Sequence, residues 1–108
     1  MLGHELTHGM TQYTANLEYQ GESGALNESI SDIFGTLVKV YSKDQSLESS
    51  DWTWTIGEGF WEIRDMKNPE KYDNPSSYQG LYWFNTMSDV DQGGVHVNSG
   101  VSNHWFAL

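Results

Sequence analysis

The sequence predicts an α+β fold dominated by two helices and by long loops. Apolar residues recur at helical spacing in two segments, residues 1–14 and residues 25–41. Residues 52–56 alternate Trp, Trp and Ile with polar side chains, which is the pattern of a short strand. The remainder of residues 51–108 holds both prolines and many Gly, Asn, Asp and Ser, so we expect a loop-rich region there.

Each predicted helix rests on a stripe of apolar residues at helical spacing. In residues 1–14 the positions i, i+4, i+8 and i+11 are Leu2, Leu6, Met10 and Tyr13. Residues 15–24 contain two glycines, Asn and Ser and predict a connecting loop. The second helix repeats apolar residues every three or four positions; they are Leu26, Ile30, Ile33, Phe34, Leu37, Val38 and Tyr41.

The C-terminal part has two local signals. Gly93–Gly94 predicts a tight bend, because glycine adopts backbone angles closed to other residues. Residues 98–100 have the composition of a helix start, and we expect a final helix that the end of the chain interrupts. A strongly patterned helix also begins at the first residues, so we expect the chain to be a fragment of a larger domain.

Composition excludes several classes of function. Five Lys and Arg stand against fifteen Asp and Glu among 108 residues, for a formal net charge of −10. This balance argues against nucleic acid and against anionic membrane surfaces as partners. Without cysteine the chain has no disulfide, no cysteine-ligated zinc and no thiol nucleophile. No apolar run approaches the roughly 18 residues of a membrane-spanning helix.

The first helix carries an H-E-x-x-H motif, His4-Glu5-Leu6-Thr7-His8. Residues four apart lie ~6 Å apart along a helix and on nearly the same face, so two imidazoles can bind one metal ion. Glu5 lies about 100° around the helix from His4 and can stand beside the ion without ligating it. This spacing is typical of zinc-dependent peptidases, in which two histidines leave room for a third ligand and a water.

Glu28 and Asp32 are the candidates for the third ligand. They lie four residues apart on the second helix, about 40° apart around its axis, so one face presents both carboxylates. One could bind the metal while the other accepts the ring N–H of a ligating histidine and orients the imidazole. The spacing alone leaves open which carboxylate ligates.

Four motifs together resemble the thermolysin family of zinc metalloendopeptidases. In chain order they are His4-Glu5-x-x-His8, Tyr19, Gly24-Ala25-Leu26-Asn27-Glu28-x-x-Ser31-Asp32 and Gly93-Gly94-Val95-His96-x-Asn98-Ser99-Gly100. The resemblance covers most of the chain and implies a central fragment of the catalytic domain. It also implies a thermolysin-like zincin fold, with the two helices where a mostly β lobe meets a mostly α lobe and most of both lobes missing.

The resemblance implies the composition of the metal centre. The zinc ligands that it implies are His4, His8 and Glu28. Glu5 would be the general base that takes a proton from a zinc-activated water. Asp32 would hydrogen-bond His4, and Asn27 would support His8.

Four further residues are implied to act at the substrate. Tyr19 and His96 would stabilise the negative oxygen of the tetrahedral intermediate, where one donor is typically worth about 3 kcal/mol. Asp91 would orient and charge His96. Arg64 would hold a substrate carbonyl and shape the pocket beside the scissile bond.

The sequence departs from the family at its paired calcium site, which takes carboxylates from the second helix and the following acidic loop. Lys39 stands at the helix position and Thr55 replaces another carboxylate, whereas Asp51 and Glu58 remain. Ca²⁺ needs six to eight oxygen ligands, so these changes argue against a double site. A single weak ion near Asp51 and Glu58 is the alternative left open.

The function implied by the resemblance is zinc-dependent hydrolysis of peptide bonds by an endopeptidase. Zinc is the expected cofactor, and polypeptides are the expected substrates. The expected partners are the remaining lobes of the catalytic domain and a removable pro-segment, and the expected location is extracellular, as for a secreted enzyme. The alternative is a zinc-binding fragment or module that is catalytically inactive, because the lobes that complete the substrate cleft are missing.

Overall fold

Two packed helices form the centre of the molecule. The computed structural model describes residues 2–43, 53–57 and 61–108. Its elements in chain order are α1 (Leu2–Tyr13), α2 (Gly21–Ser42), β1 (Thr55–Ile56), β2 (Arg64–Asp65), a 3₁₀ helix (Pro69–Tyr72), α3 (Asp91–Asn98) and α4 (Gly100–Ala107). These elements confirm the predicted α+β class. None of the helices described here is long and apolar enough to cross a membrane.

Glycine lets α1 and α2 approach closely where they cross. A Cβ atom on Gly35 of α2 would lie 3.1 Å from the backbone nitrogen of His4, which is tighter than ordinary van der Waals contact. A Cβ atom on Gly3 of α1 would lie 3.2 Å from the Cα atom of Gly35. The crossing therefore brings the His4 backbone directly against α2.

The face of α1 that packs on α2 is polar. His4, Thr7 and Thr11 are its buried residues. The apolar stripe that predicts the helix points away from α2 and is exposed in the described structure; its members are Leu2, Leu6, Met10 and Tyr13. The periodicity therefore predicts the helix correctly but does not identify its packed side.

α2 begins four residues before the predicted start, so the end of the predicted 15–24 loop is helical. The predicted start was wrong because glycine is typical of turns, whereas Gly24 in the structure lies inside a helix and allows neighbouring segments to pack closely. A Cβ atom on Gly24 would lie 2.5 Å from Cγ1 of Val95 and 2.9 Å from the carbonyl carbon of Tyr19. The missing side chain lets α3 and the loop that carries Tyr19 lie against the first turn of α2.

The region after α2 contains more regular structure than the sequence predicts. β1 and β2 pair as a short antiparallel ladder with Thr55 opposite Asp65, so Thr55–Ile56 of the predicted 52–56 strand is a strand. Trp52 lies outside the described residues. The 3₁₀ helix Pro69–Tyr72 lies inside the part of residues 51–108 that the sequence predicts to be rich in loops. Proline suits the first position of such a helix, where no backbone N–H is required.

The predicted bend at Gly93–Gly94 is confirmed, and it forms the first turn of α3. Four successive residues have positive φ, namely Asp91 (52°), Gln92 (46°), Gly93 (83°) and Gly94 (80°). A Cβ atom on Gly93 would lie only 2.4 Å from the carbonyl oxygen of Thr86. The bend therefore packs directly on the preceding loop, which fixes the direction of α3.

Polar side chains make up much of the buried interior. An apolar cluster joins β1 to α4; it consists of Ile56, Met66 and Ala107, with Ile33, Trp54 and Phe106 packed against it. On α2, however, Glu28 and Asp32 are only 1% and 0% exposed. A carboxylate is costly to bury unless it is paired or holds a metal, so these two residues mark the candidate site.

Candidate metal centre

Three side chains converge where α1 crosses α2. The Nε2 atoms of His4 and His8 lie 3.0 Å apart. The Glu28 carboxylate lies 3.3 Å from the first of these nitrogens through Oε2 and 2.9 Å from the second through Oε1. Ligand atoms about 2.1 Å from a tetrahedral zinc ion are separated by roughly 3.4 Å, so the two nitrogens and the Glu28 carboxylate lie at distances that fit the ligands of one ion.

Hydrogen bonds on the far side of each ring fix the tautomers. Nδ1 of His4 lies 2.8 Å from Oδ1 of Asp32, and Nδ1 of His8 lies 2.8 Å from Oδ1 of Asn27. The Asn27 amide nitrogen donates to the carbonyl of Leu17, so the amide oxygen faces His8. Each Nδ1 therefore donates its proton, which leaves Nε2 of the neutral rings with a lone pair for a metal.

One carboxylate oxygen of the site lacks a hydrogen-bond partner among the described residues. Oε2 of Glu28 is buried and has no hydrogen-bond partner among the described residues. It lies on the side of His4, within the same group of ligand atoms. A buried acceptor without a donor is costly, and a cation between Glu28 and the two imidazoles would satisfy it. The donor set therefore fits zinc.

The electrostatics of the site favour a cation. Burial alone would lower the pKa of His4, but the neighbouring carboxylates of Asp32 and Glu28 outweigh it and raise this pKa from 6.5 to about 9. Burial would raise the pKa of Glu28, but His4 and Tyr19 hold it below its ordinary value. The carboxylate thus stays ionised, and a divalent ion would replace the extra proton on His4.

Four hydrogen bonds converge on Asp32. Its Oδ1 accepts from Nδ1 of His4 and Nη2 of Arg64, and its Oδ2 accepts from Nε of Arg64 and Nδ2 of Asn103, each at 2.8 Å. Burial would raise the pKa of Asp32, but His4 and Arg64 hold it at about 2. Asp32 is thus an ionised, fully buried anchor for the His4 ring.

Arg64 lies in a different setting from the one that the sequence implies. The resemblance assigns it to a substrate carbonyl, but two of its nitrogens donate to Asp32 and the residue is only 6% exposed. A substrate carbonyl would have to accept a hydrogen bond from a guanidinium N–H that does not already donate to Asp32. The substrate role of Arg64 stays a prediction.

Tyr19, His96 and Asp91 form a second group beside Glu28. The Tyr19 hydroxyl donates to Oε1 of Glu28 and lies 3.2 Å from Nε2 of His96. Asp91 holds His96 twice, through Nδ1 at 2.6 Å and through the backbone N–H at 2.9 Å. Burial and the bond to Glu28 raise the pKa of Tyr19 above its ordinary value, so the hydroxyl remains a donor.

A cleft of about 780 Å³ connects these groups to solvent. Glu5, His8, Tyr19 and His96 all line it, so the structure places the candidate general base and the candidate donors on one surface. Four further residues line the cleft and are not among the residues that the sequence predicts for the site; they are Gln12, Asn16, Leu17 and Glu18. They lie in and just after α1 and carry no motif that could have revealed them.

The predicted calcium ligands Asp51 and Glu58 lie outside the described residues. At the helix position of that site, Nζ of Lys39 donates to the backbone carbonyl of Thr53 at 3.1 Å. Oγ1 of Thr53 in turn lies 2.5 Å from Oγ1 of Thr55. A lysine therefore ties α2 to the segment before β1, and calcium binding stays a prediction.

Two histidines and a glutamate on crossing helices, open to a cleft, define a candidate zinc centre of the kind found in metallopeptidases. The family described as "Thermolysin metallopeptidase, alpha-helical domain" matches residues 15–108. A zinc metalloproteinase of Renibacterium salmoninarum is 49% identical over 107 residues, which cover 94% of this chain and 19% of that protein. Thermolysin of Alicyclobacillus acidocaldarius is 46% identical over 104 residues, which cover 95% of this chain and 18% of that protein.

A solved structure gives the same result. The precursor of protealysin, a metalloproteinase from Serratia proteamaculans, superimposes with a TM-score of 0.85 at 36% sequence identity. The match covers 99% of this chain and 36% of that one. The chain belongs to the thermolysin metallopeptidase family, as its motifs predict. It spans about a fifth of the length of the curated relatives described above.

Proposed function

We propose that this chain is the zinc-bearing central part of an endopeptidase that hydrolyses peptide bonds with a metal-activated water and Glu5 as the general base. The observation that carries the proposal is the convergence of His4, His8 and Glu28. The two Nε2 atoms lie 3.0 Å apart, and each lies 2.9–3.3 Å from one oxygen of the Glu28 carboxylate. Zinc, when bound there, supplies a Lewis acid that acidifies water and polarises a peptide carbonyl.

The position of Glu5 supports its proposed role as the general base. It follows His4 on α1, is exposed, and lines the cleft beside the ligand atoms. Its carboxylate would take the proton of the attacking water and pass it to the nitrogen of the leaving amine. The neighbouring Glu28 is unsuited to this task, since it is buried against both imidazoles.

Tyr19 and His96 supply donors for the negative charge that develops on the substrate carbonyl oxygen. The Tyr19 hydroxyl and Nε2 of His96 face each other across 3.2 Å beside Glu28. Asp91 keeps the His96 ring in place by holding both Nδ1 and the backbone N–H. Loss of one such donor typically lowers kcat by a factor of about 10² to 10³.

Polypeptides are the proposed substrates, and the extracellular space is the proposed location. Both rest on membership of the family and on the open cleft at the metal centre. The formal net charge of −10 argues against a polyanionic substrate.

A second candidate function is zinc binding without catalysis. The observation that favours it is the length of the chain, which spans about a fifth of the relatives that it matches. Parts of those relatives with no counterpart here would then complete the substrate cleft. This candidate predicts about one zinc ion per chain and no hydrolysis of peptide bonds.

Exchange of Glu5 for Gln tests the proposal. We expect Glu5→Gln to keep the zinc content of the parent, because Glu5 is not a ligand, and to lower casein hydrolysis at least 100-fold. Glu18→Gln is the matched control, since Glu18 is also exposed and lines the same cleft; it should retain activity. Parental hydrolysis by Glu5→Gln would overturn the assignment of the base.

Metal analysis of Glu28→Ala tests the third ligand. We expect this variant to lose stoichiometric zinc, because Glu28 contributes the one carboxylate among the three converging ligand atoms. Zinc content equal to that of the parent would remove Glu28 from the metal centre. A parent chain that binds zinc but cleaves no peptide would instead favour the second candidate.

A further inference from the structure

Asn103 of α4 connects the end of the described chain to the metal centre. It is 1% exposed, and its Nδ2 donates to Oδ2 of Asp32 at 2.8 Å, across 71 residues of sequence. Its Oδ1 accepts a hydrogen bond from Oγ of Ser29 at 2.8 Å. Ser29 is fully buried on α2. The amide of Asn103 thus lies between a hydroxyl and the carboxylate that orients His4.

The chemistry of the two neighbours fixes the direction of this amide. The ionised carboxylate of Asp32 can only accept hydrogen bonds, so the amide nitrogen of Asn103 must face it. The amide oxygen then faces Ser29, whose hydroxyl can donate to it. Each group in the sequence Ser29, Asn103, Asp32, His4 therefore has one compatible orientation, and the last donor is the Nδ1–H of the imidazole.

Asn103 also completes the set of donors around Asp32. A carboxylate accepts about four hydrogen bonds, two on each oxygen. Arg64 occupies one position on each oxygen, His4 takes the second position on Oδ1, and Asn103 takes the second position on Oδ2. Without Asn103 the carboxylate would lack the donor opposite His4, and its plane would be held less firmly.

We propose that Asn103 is a positioning residue of the metal centre, which acts through Asp32 to hold the His4 ring with Nε2 directed at the metal, and that Ser29 sets the amide. The proposal rests on the proposed function, since it takes His4 as a zinc ligand. Partners of this kind typically change metal affinity 10- to 100-fold when they are removed.

The chain offers a matched control for each member of this network. Asn98 is also a buried amide with two hydrogen bonds, but both go to the backbone of Phe84 and not to Asp32. Ser31 is also fully buried on α2, and its Oγ has no hydrogen-bond partner among the described residues. Asn103→Ala is therefore compared with Asn98→Ala, and Ser29→Ala with Ser31→Ala.

Two measurements separate positioning from a merely structural role. The zinc dissociation constant is measured by competition with a chromogenic chelator, and the solvent exchange of the His4 Nδ1 proton is measured by NMR on the metal-free protein. We expect Asn103→Ala to weaken zinc binding about 10-fold and to speed proton exchange. Ser29→Ala should do the same to a smaller extent, and the Asn98 and Ser31 controls should leave both quantities unchanged.

The outcomes distinguish this proposal from the proposed function. Failure of the parent chain to bind zinc would overturn both. Parental zinc affinity and parental exchange in Asn103→Ala and Ser29→Ala would overturn the positioning role alone and leave the zinc centre intact. Should Asn103→Ala fail to fold, the comparison of Ser29→Ala with Ser31→Ala tests the positioning role. Removal of a serine hydroxyl should disturb the fold less than removal of an amide.

Discussion

His4 and His8 lie one helical turn apart on α1, yet their surroundings differ. The His4 side chain is 6% exposed and donates to the ionised, fully buried Asp32, which also pairs with Arg64. The His8 side chain is 24% exposed and donates to the neutral amide of Asn27. We refer to these two settings as the His4 side and the His8 side of the metal centre.

The difference indicates that the two sides contribute differently to the stability of the fold and to metal binding. The His4 side is built from charges that must be paired because they are buried, so loss of one partner should destabilise the fold as well as weaken metal binding. The His8 side borders the cleft, with the His8 ring 5.8 Å from the ring of Tyr19. It should contribute to metal binding and substrate access more than to stability.

The largest expected effect comes from Asp32→Asn on the His4 side. This change removes the carboxylate that pairs with the buried guanidinium of Arg64 at 2.8 Å and leaves Glu28, 3.9 Å away, as the nearby counter-charge. Breaking a buried pair in this way typically costs about 3–5 kcal/mol in the free energy of unfolding. Urea denaturation of the metal-free protein measures this cost. A second variant, Asp32→Asn with Arg64→Gln, should recover part of the stability, because no unpaired charge remains. A loss below about 1 kcal/mol in Asp32→Asn would contradict the charged character of the His4 side.

Gly35→Ala should have the next largest effect. The added methyl group would lie 3.1 Å from the backbone nitrogen of His4 and would push α1 away from α2. Overpacking of this kind typically costs about 1–3 kcal/mol, and the shift of His4 should also weaken zinc binding. Thermal or urea unfolding together with chelator competition checks both. Unchanged stability and affinity would mean that the helices tolerate a wider separation.

On the His8 side, Asn27→Ala should mainly affect the metal. We expect zinc affinity to fall about 10-fold, because the ring loses the acceptor that orients it. The free energy of unfolding should fall by only about 1 kcal/mol, as for a neutral hydrogen bond. Chelator competition and urea denaturation measure the two quantities. A larger loss of stability in Asn27→Ala than in Asp32→Asn would reverse the comparison of the two sides.

The smallest expected effect belongs to Gly9→Ala, next to His8. A Cβ atom there would meet nothing within 4 Å in the described structure. Alanine should therefore stabilise α1 by about 0.5–1 kcal/mol through helix propensity alone, without a change in zinc affinity. Gly9→Ala is also the matched control for Gly35→Ala, since both place the same methyl group in a helix. A destabilised Gly9→Ala would indicate a close contact at this position.

The candidate ligands could be predicted because their signals are local. Two histidines four residues apart on one helix face predict a shared metal, and Glu28 lies on the next helix at the spacing of the family. The geometry brings all three together. The spacing of Glu28 and Asp32 alone left their roles open. In the structure Glu28 reaches both Nε2 atoms, whereas Asp32 lies behind His4 at Nδ1.

The contacts of Asp32 with Arg64 and Asn103 could not be predicted, because they join distant segments. Arg64 follows Asp32 by 32 residues and belongs to a two-residue strand, which is too short to give a periodic pattern. Asn103 follows by 71 residues and is a single polar position on α4. The early start of α2 was missed for a related reason, since only tertiary packing shows that Gly24 belongs to a helix.

The separation of Asp32 and Asn103 along the chain has a consequence for biosynthesis. A ribosome adding about 5–20 residues per second needs roughly 4–14 s to pass from the first residue to the second. During that interval the nascent polypeptide carries both histidines and Glu28 but lacks the amide that completes the anchor of His4. Until α4 emerges from the exit tunnel, the three ligands should therefore hold zinc about 10-fold more weakly than in the complete chain.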